Sequence, residues 1–312
     1  MKKLKTLSIV IPCFNEEETI SETYRELYSI LESLKKDIIS DYQIVMVNNG
    51  STDNTLEIML SLKKKNTKIK IIDLRNNFGY QSSISAGLFH SDNDLIISID
   101  ADLQDDPKKI KEMIELHYKG YEMVLGIRQN RSSDNFFKRF FAELFYKISS
   151  ILGMKTEFNH GDFRLMTRNL VNEIKKFPEK NRYLRGIILL VENNYTKIYY
   201  SRRKRKFGKT KFKPLNLISL ALDGITSFTV QPIRLIFLLG LIMFLISIIS
   251  GLYVIYLYFF KEIIIKGWAS TFILILFFGG VQNIFIGIIG EYISKTYIET
   301  KNRPLYLVRK IY

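Results

Sequence analysis

Two carboxylates one residue apart, Asp100 and Asp102, follow directly on the apolar run Leu95 to Ile99, and no cationic residue adjoins them in sequence. Carboxylates that close repel one another unless a cation lies between them, and hard oxygen ligands select Mg2+ or Mn2+. A divalent ion there would bridge a substrate diphosphate and stabilise charge developing on a leaving group. Alone, Asp-x-Asp also describes a solvated turn. Its place at a strand exit, with Gln104-Asp105-Asp106-Pro107 opening a helix after it, favours the ion site.

Positive charge gathers elsewhere. Arg202 to Lys213 holds eight basic residues and no acidic one, just ahead of a long apolar segment. Arg202, Arg205 and Lys211 are therefore candidates to hold a phosphate group, and Arg128 and Arg131, after a fifth strand, to meet a diphosphate or that phosphate. For each of them the alternative is plain surface charge resting on anionic lipid. The whole chain carries 46 Lys+Arg against 31 Asp+Glu, which suits anionic partners. Nucleic acid would explain that excess and nothing else, so it is set aside. Cys13 is the one cysteine, which excludes an internal disulfide framework and a multi-cysteine zinc site.

Positioning these groups requires a scaffold. Leu7 to Ile11, Ile44 to Val47, Ile69 to Leu74 and Leu95 to Ile99 are nearly continuous apolar runs rich in β-branched residues, as strands covered on both faces must be. Amphipathic stretches, Glu16 to Lys36, Asp53 to Lys65 and Tyr80 to His90, separate them. Such alternation predicts an α/β fold with a mostly parallel sheet and ligands at the carboxyl ends of its strands. All four exits are polar or turn-forming: Pro12 to Glu16, Asn48 to Asp53, Arg75 to Gly79, and Asp100 to Asp102. No GxGxxG or GxxxxGK[ST] follows a strand, which counts against a dinucleotide fold and a P-loop NTPase. His90, His117 and His160 are read as structural or surface residues.

The last third of the chain is different. Leu235 to Phe260 and Trp268 to Gly290 carry no charge, and the first would reach about 39 Å as a helix, beyond the ~30 Å of a hydrocarbon core. Two spanning helices in a hairpin are predicted, with the basic flanks placing both termini in the cytoplasm and the protein multi-pass in the cell (inner) membrane. Gln282 and Asn283 can hydrogen-bond across the hairpin or to a partner subunit, which leaves room for a homo-oligomer. Pro214 to Pro232 has the pattern of a helix lying in the interface. The expected division is a catalytic domain over 1–213, an interfacial segment over 214–234, the hairpin over 235–290 and a cytoplasmic basic tail over 291–312.

The ordered segments Ser8-Ile-Val-Ile-Pro-Cys-Phe-Asn-Glu16, Arg75-Asn-Asn-Phe-Gly79, Ser85-Ala-Gly87, Asp100-Ala-Asp-Leu-Gln-Asp105, Gly161-Asp-Phe-Arg-Leu-Met166, Arg185-Gly186 and Gly208-Lys-Thr-Lys-Phe212 resemble glycosyltransferase family 2. The likeness is to its polyprenyl-phosphate branch, to which bactoprenol glucosyltransferases and dolichyl-phosphate mannose synthases belong. It implies a GT-A-type domain in which Pro12, Phe14, Glu16, Asn48, Ser51 and Asp100 hold a nucleotide sugar. It further implies that Asp100, Asp102 and Gln104 hold the metal, that Asp162 is the candidate catalytic base, and that Arg164 lies on the acceptor side. A processive polysaccharide synthase is the alternative, but it would bring a Gln-x-x-Arg-Trp motif, and the one tryptophan, Trp268, stands outside any such motif.

A phosphate monoester, with a second pKa of about 6, is largely dianionic at neutral pH and already nucleophilic. Bringing two anions together is then the harder task, which the basic residues serve, and direct in-line attack would invert the anomeric centre. Asn48-Asn49 stands where the family usually has Asp-Asp or Asp-Asn, and Leu190 and Glu192 where it often has Trp and Gly. A carboxamide pairs with uracil in both senses, whereas guanine's two adjacent donors prefer a carboxylate. A UDP-sugar donor and a polyprenyl-phosphate acceptor such as undecaprenyl phosphate are the expected partners.

Overall fold

The computed structural model describes residues 4–35, 37–129, 157, 159–180, 182–201, 203, 229–261 and 267–312. Strand β1 (Lys5–Cys13) leads through α1 (Ile20–Leu34) to β2 (Ile39–Asn48), then through α2 (Thr55–Lys65) to β3 (Ile69–Leu74), and through α3 (Tyr80–Phe89) to β4 (Leu95–Ser98). There follow α4 (Lys109–Tyr118), β5 (Met123–Arg128), β6 (His160–Thr167), α5 (Arg168–Lys175), α6 (Leu184–Val191) and β7 (Tyr195–Tyr200). The sheet order is β7-β5-β6-β4-β1-β2-β3, with β8 (Val308–Ile311) on the outer edge of β3. β1, β2, β3 and β4 pair in parallel, as do β5 and β7, while β6 and β8 run antiparallel to their neighbours.

Side chains alternate across each strand, and both faces are covered. Ile9, Ile11, Ile44, Met46, Ile71 and Ile97 pack with Ile20, Leu27 and Leu31 of α1 on one face. Val10, Val45, Val47, Ile72 and Ile96 meet Ile84 and Leu88 of α3 on the other. Each such burial contributes about 1.5–3 kcal/mol. The seating of α3 depends on Gly87, where an added Cβ would lie 2.2 Å from Val10 Cγ1. That close approach gives Ser85-Ala-Gly87 its physical meaning, because it lets α3 pack directly on β1 and β2.

Strand order reverses between β1 and β4, so their carboxyl ends frame a crevice rather than a closed edge. The four expected strands and the three helices between them are present, with β2 starting five residues before its expected Ile44.

Beyond residue 229 the chain forms two long helices, α7 (Gln231–Lys261) and α8 (Trp268–Thr300). Phe237, Phe244, Ile249 and Leu252 of α7 are 73%, 61%, 67% and 62% exposed, so its apolar faces are not packed on protein. Among the described residues, Gln231–Ser250 is long and apolar enough to cross a membrane by length and composition. The expected interfacial segment falls mostly outside the described residues. Residues 291–312, expected as a basic tail, complete α8 and return as β8. Tyr312 and Ile71 exchange backbone bonds of 2.9 and 3.1 Å, and Arg75 N–H donates to Leu307 O at 2.9 Å. The charge pattern of the segment hid the strand, because Arg309, Lys310 and Ile311 are all exposed on an outer edge.

Candidate active site

At the crevice, Asp100 and Asp102 stand on the turn after β4, as their position in the sequence requires. Thr23 Oγ1, from α1, donates to Ala101 O at 2.7 Å, and Leu103 takes a left-handed φ of 55° that turns the chain back. Gln104 N–H donates to Asp102 Oδ1 at 3.1 Å. Tyr80, on the first turn of α3, donates its hydroxyl to Asp100. Burial pushes the Asp100 carboxyl up to about 7, and the nearby carboxylates Asp105, Asp102 and Asp162 add to the rise. Burial and the same Asp100 charge raise the Tyr80 phenol well above its ordinary value.

A second layer supports the first. Tyr200 OH donates to Asp105 Oδ1 at 2.6 Å, and Arg128 Nη2 reaches the same oxygen at 3.3 Å and Asp100 Oδ2 at 4.0 Å. The Arg128 guanidinium lies against Gly161, where a Cβ would come within 3.2 Å of Nη2; the glycine keeps that approach open. Asp105 Oδ2 is buried without a hydrogen bond, so the acidic cluster carries more negative charge than its cations answer. Among the described residues there is no group of three His, Cys, Asp or Glu side chains set to hold a metal. Two carboxylates on an acidic turn nevertheless fit an ion of the Mg2+ type, which commonly takes one or two carboxylates and completes its shell with substrate phosphates and water.

Asp162 is buried on β6, held by Arg164 Nη2 and by Arg185 Nη2 of α6, the latter at 2.6 Å from its Oδ2. Burial alone would raise its pKa, but the guanidiniums of Arg185 and Arg164 outweigh that and hold it well below the usual carboxylate range. A carboxylate so placed orients neighbouring groups and has little affinity for a proton. Arg164, expected on the acceptor side, is 1% exposed and sits beneath the crevice rather than at its surface, with Nε and Nη1 making no hydrogen bond. Burial lowers its pKa. His160, at the start of β6, is buried, and its pKa lies well below its ordinary value through burial and the adjacent Arg164 and Arg185 charges.

The nucleotide side is built from the exits of β1 and β2. Pro12 is buried, while Phe14, Glu16 and Ser51 line the surface half-exposed. Ser51 Oγ accepts the Asn15 N–H at 3.1 Å, and Glu16 Oε2 accepts the Thr19 hydroxyl at 2.7 Å. Asn48 corrects the sequence expectation. Its Nδ2 donates to Asp73 Oδ1 at 2.7 Å and its Oδ1 accepts the Ser51 N–H at 3.2 Å, so a buried carboxamide already bonded at both ends braces the loop instead of facing a base. Asn49 is likewise buried, and bonds to Asn77, Phe78 and Gly79.

Arg131, Arg202, Arg205 and Lys211 lie outside the described residues. Arg203, which sequence reasoning passed over, is described and informative. Its N–H donates to Gln104 O at 2.9 Å, and its guanidinium pairs with Glu26 and Asp106 at 2.5 Å each. Arg203 is thus fastened to the acidic turn. Tyr80, Tyr200 and Arg185 were also unassigned by sequence reasoning; only the Arg185-Gly186 pair left a signal.

Residues 8–175 match the family profile described as Glycosyl transferase family 2. The chain belongs to that family. Residues 231–296 match a second profile, described as the GtrB C-terminal hairpin. This glycosyltransferase is 40% identical over 306 residues to the prophage bactoprenol glucosyl transferase homolog of Escherichia coli K12, covering 98% of this chain and 99% of the relative. It is 40% identical over 305 residues to the bactoprenol glucosyl transferase of Shigella phage SfII, covering 97% of each. An uncharacterized glycosyltransferase of Bacillus subtilis 168, YkoT, is 40% identical over 309 residues, covering 97% of this chain and 90% of the relative. The GT-A-like α/β fold and the polyprenyl-phosphate branch follow from these matches.

Proposed function

We propose that this glycosyltransferase moves a hexose-type sugar from a nucleotide diphosphate, a UDP-sugar in the first instance, to a polyprenyl phosphate such as undecaprenyl phosphate. The observation that carries this reading is the match, along nearly the whole chain and including the C-terminal hairpin, to relatives named bactoprenol glucosyl transferases.

In the proposed reaction a phosphate oxygen of the lipid attacks the anomeric carbon as the bond to the nucleotide diphosphate breaks, which inverts that centre. Asp100 and Asp102, with the Gln104 carboxamide, would hold Mg2+ or Mn2+, which supplies charge neutralisation for the departing diphosphate. Phe14, Glu16 and Ser51 hold the nucleotide. Arg128 pairs with Asp105 of the acidic turn, and Arg131, Arg202, Arg205 and Lys211 hold the acceptor phosphate. Asp162 and Arg164 fix Arg185 from below. A dianionic acceptor needs no strong base, which agrees with the low proton affinity of Asp162.

Helices α7 and α8 are proposed to span the cell membrane as a hairpin with the catalytic domain and both termini in the cytoplasm. The exposed apolar faces of α7 and the basic flanks support that topology. The test is incubation of the purified, detergent-solubilised protein with UDP-glucose, other UDP-sugars or GDP-mannose, undecaprenyl phosphate and Mg2+, followed by mass analysis of the lipid. A lipid heavier by one hexose is expected with a UDP-hexose. Free sugar or polymer without a modified lipid would sink the reading.

A further inference from the structure

The C-terminal strand does more than close a sheet edge. Arg309, on β8, places Nη1 3.7 Å from Asp73 Oδ2 and donates from Nη2 to Arg75 O at 3.0 Å. Asp73 is 1% exposed, and that Oδ2 makes no hydrogen bond, so the guanidinium is the countercharge set against it. The other Asp73 oxygen holds Asn48, and Asn48 holds the Ser51 amide. Backbone packing runs in parallel with this relay. Gly50, at φ +68°, lies so close to the β3 exit that an added Cβ would stand 2.5 Å from the Asn76 carbonyl carbon, and Arg309 grips that exit through Arg75 O.

We propose that Arg309 is a positioning residue for the donor nucleotide, acting through Asp73 and Asn48 on the Asn48–Ser51 loop. The helix that precedes β8 in the chain is α8, so the element read as a membrane anchor is continuous with the strand that shapes the donor loop. Donor binding is thereby tied to correct docking of the C-terminal segment. The inference rests on the reading of that loop as the nucleotide site, so one arm of the test is independent of any nucleotide.

In that arm, hydrogen exchange is followed in full-length wild type, Arg309→Gln and Arg309→Lys. Amides of residues 49–52 should exchange about tenfold faster in Arg309→Gln, with β1 and β4 unchanged and partial recovery in Arg309→Lys. Unchanged exchange at the loop, or an equal rise throughout the sheet, would overturn the relay. In the second arm, calorimetry with UDP and GDP in Mg2+ should show about tenfold weaker binding of the preferred nucleotide in Arg309→Gln, and no further loss when Asp73→Asn is added. Turnover should then show a raised donor KM with acceptor KM unchanged. Faster loop exchange without any change in nucleotide affinity would refute the link to donor binding while leaving the relay standing; equal losses toward donor and acceptor would overturn the assignment to the donor side.

Discussion

Tyr80, on the first turn of α3, donates its hydroxyl to Asp100 at the end of β4, so the helix seated on β1 through Gly87 also fixes the first carboxylate of the Asp-Ala-Asp turn. Two sequence segments with no apparent connection are one unit of the site. Asp100 also stands near the carboxylates of Asp105, Asp102 and Asp162, so the turn is crowded with negative charge.

A pH dependence follows from that crowding. Asp100 holds its proton up to about 7 in the folded protein, against 3.8 ordinarily, so between those values the folded state binds more protons than the unfolded one. Stability from this group is therefore full at low pH and lost as pH rises through about 7. In EDTA, the thermal midpoint should fall between pH 5 and pH 8, and Asp100→Asn should flatten that fall. Parallel pH profiles for the two proteins would refute it. At pH 8, Mg2+ should restore wild type and have little effect on the variant. Asp102→Asn, at a half-buried turn position, should abolish metal-dependent turnover with a thermal midpoint close to wild type.

Asp162 predicts the opposite behaviour. Its folded pKa lies below its ordinary value, so its contribution is present above the ordinary carboxylate range and lost as pH falls through the folded value. Asp162→Ala leaves the buried Arg164 and the largely buried Arg185 without their shared anion and should destabilise the protein by about 3–5 kcal/mol. Chemical denaturation at pH 7 measures this. A loss under about 1 kcal/mol would show that water or rearrangement compensates both cations. In turnover, any acidic limb near pH 6 should belong to the acceptor phosphate and persist in Asp162→Asn.

How much of this was legible beforehand varies with the physics involved. The strands were legible because a strand covered on both faces must be apolar throughout, and Ile69 to Leu74 was predicted to the residue. The Asp-Ala-Asp turn was legible because two acids with no cation adjacent in sequence stand at the end of an apolar run. Asn48 was misplaced because a side chain's partner can lie on another strand, and Asp73 gives no sign in sequence of pairing with it. β8 was invisible for a related reason: an edge strand needs only one neighbour, and its short, charged sequence shows no period. Tyr80 and Tyr200 carry no signal in sequence, because only the fold brings their hydroxyls to Asp100 and Asp105.

The basic stretch supplies a third test. Arg203, two residues before Arg205 in the sequence, donates its N–H to Gln104 O. Charge reversal at Arg205 or Lys211 should raise the KM for polyprenyl phosphate by about tenfold or more while UDP binding changes less than about twofold. Steady-state kinetics with varied lipid, paired with calorimetry, separates the two. Equal losses would point to a general electrostatic role.

The last prediction concerns Asn48→Asp, the change that restores the residue more usual in the family. If Asn48 faced the base, this variant would shift donor preference toward guanosine. The structure implies another outcome, because Asn48 Nδ2 lies 2.7 Å from a buried Asp73 oxygen and a carboxylate there would set two acceptors against each other. Two buried carboxylates in contact cannot both ionise, so the pair would keep one proton well above the ordinary range. Folding stability of the variant should then fall as pH rises, where wild type shows no such added slope, since the folded pair holds a proton that the unfolded chain releases. Nucleotide binding should weaken for UDP and GDP alike at pH 8 and recover in part at pH 6. Urea denaturation and calorimetry at both pH values decide it. A variant as stable as wild type at pH 8 with a preference for GDP would restore the base-facing role of Asn48.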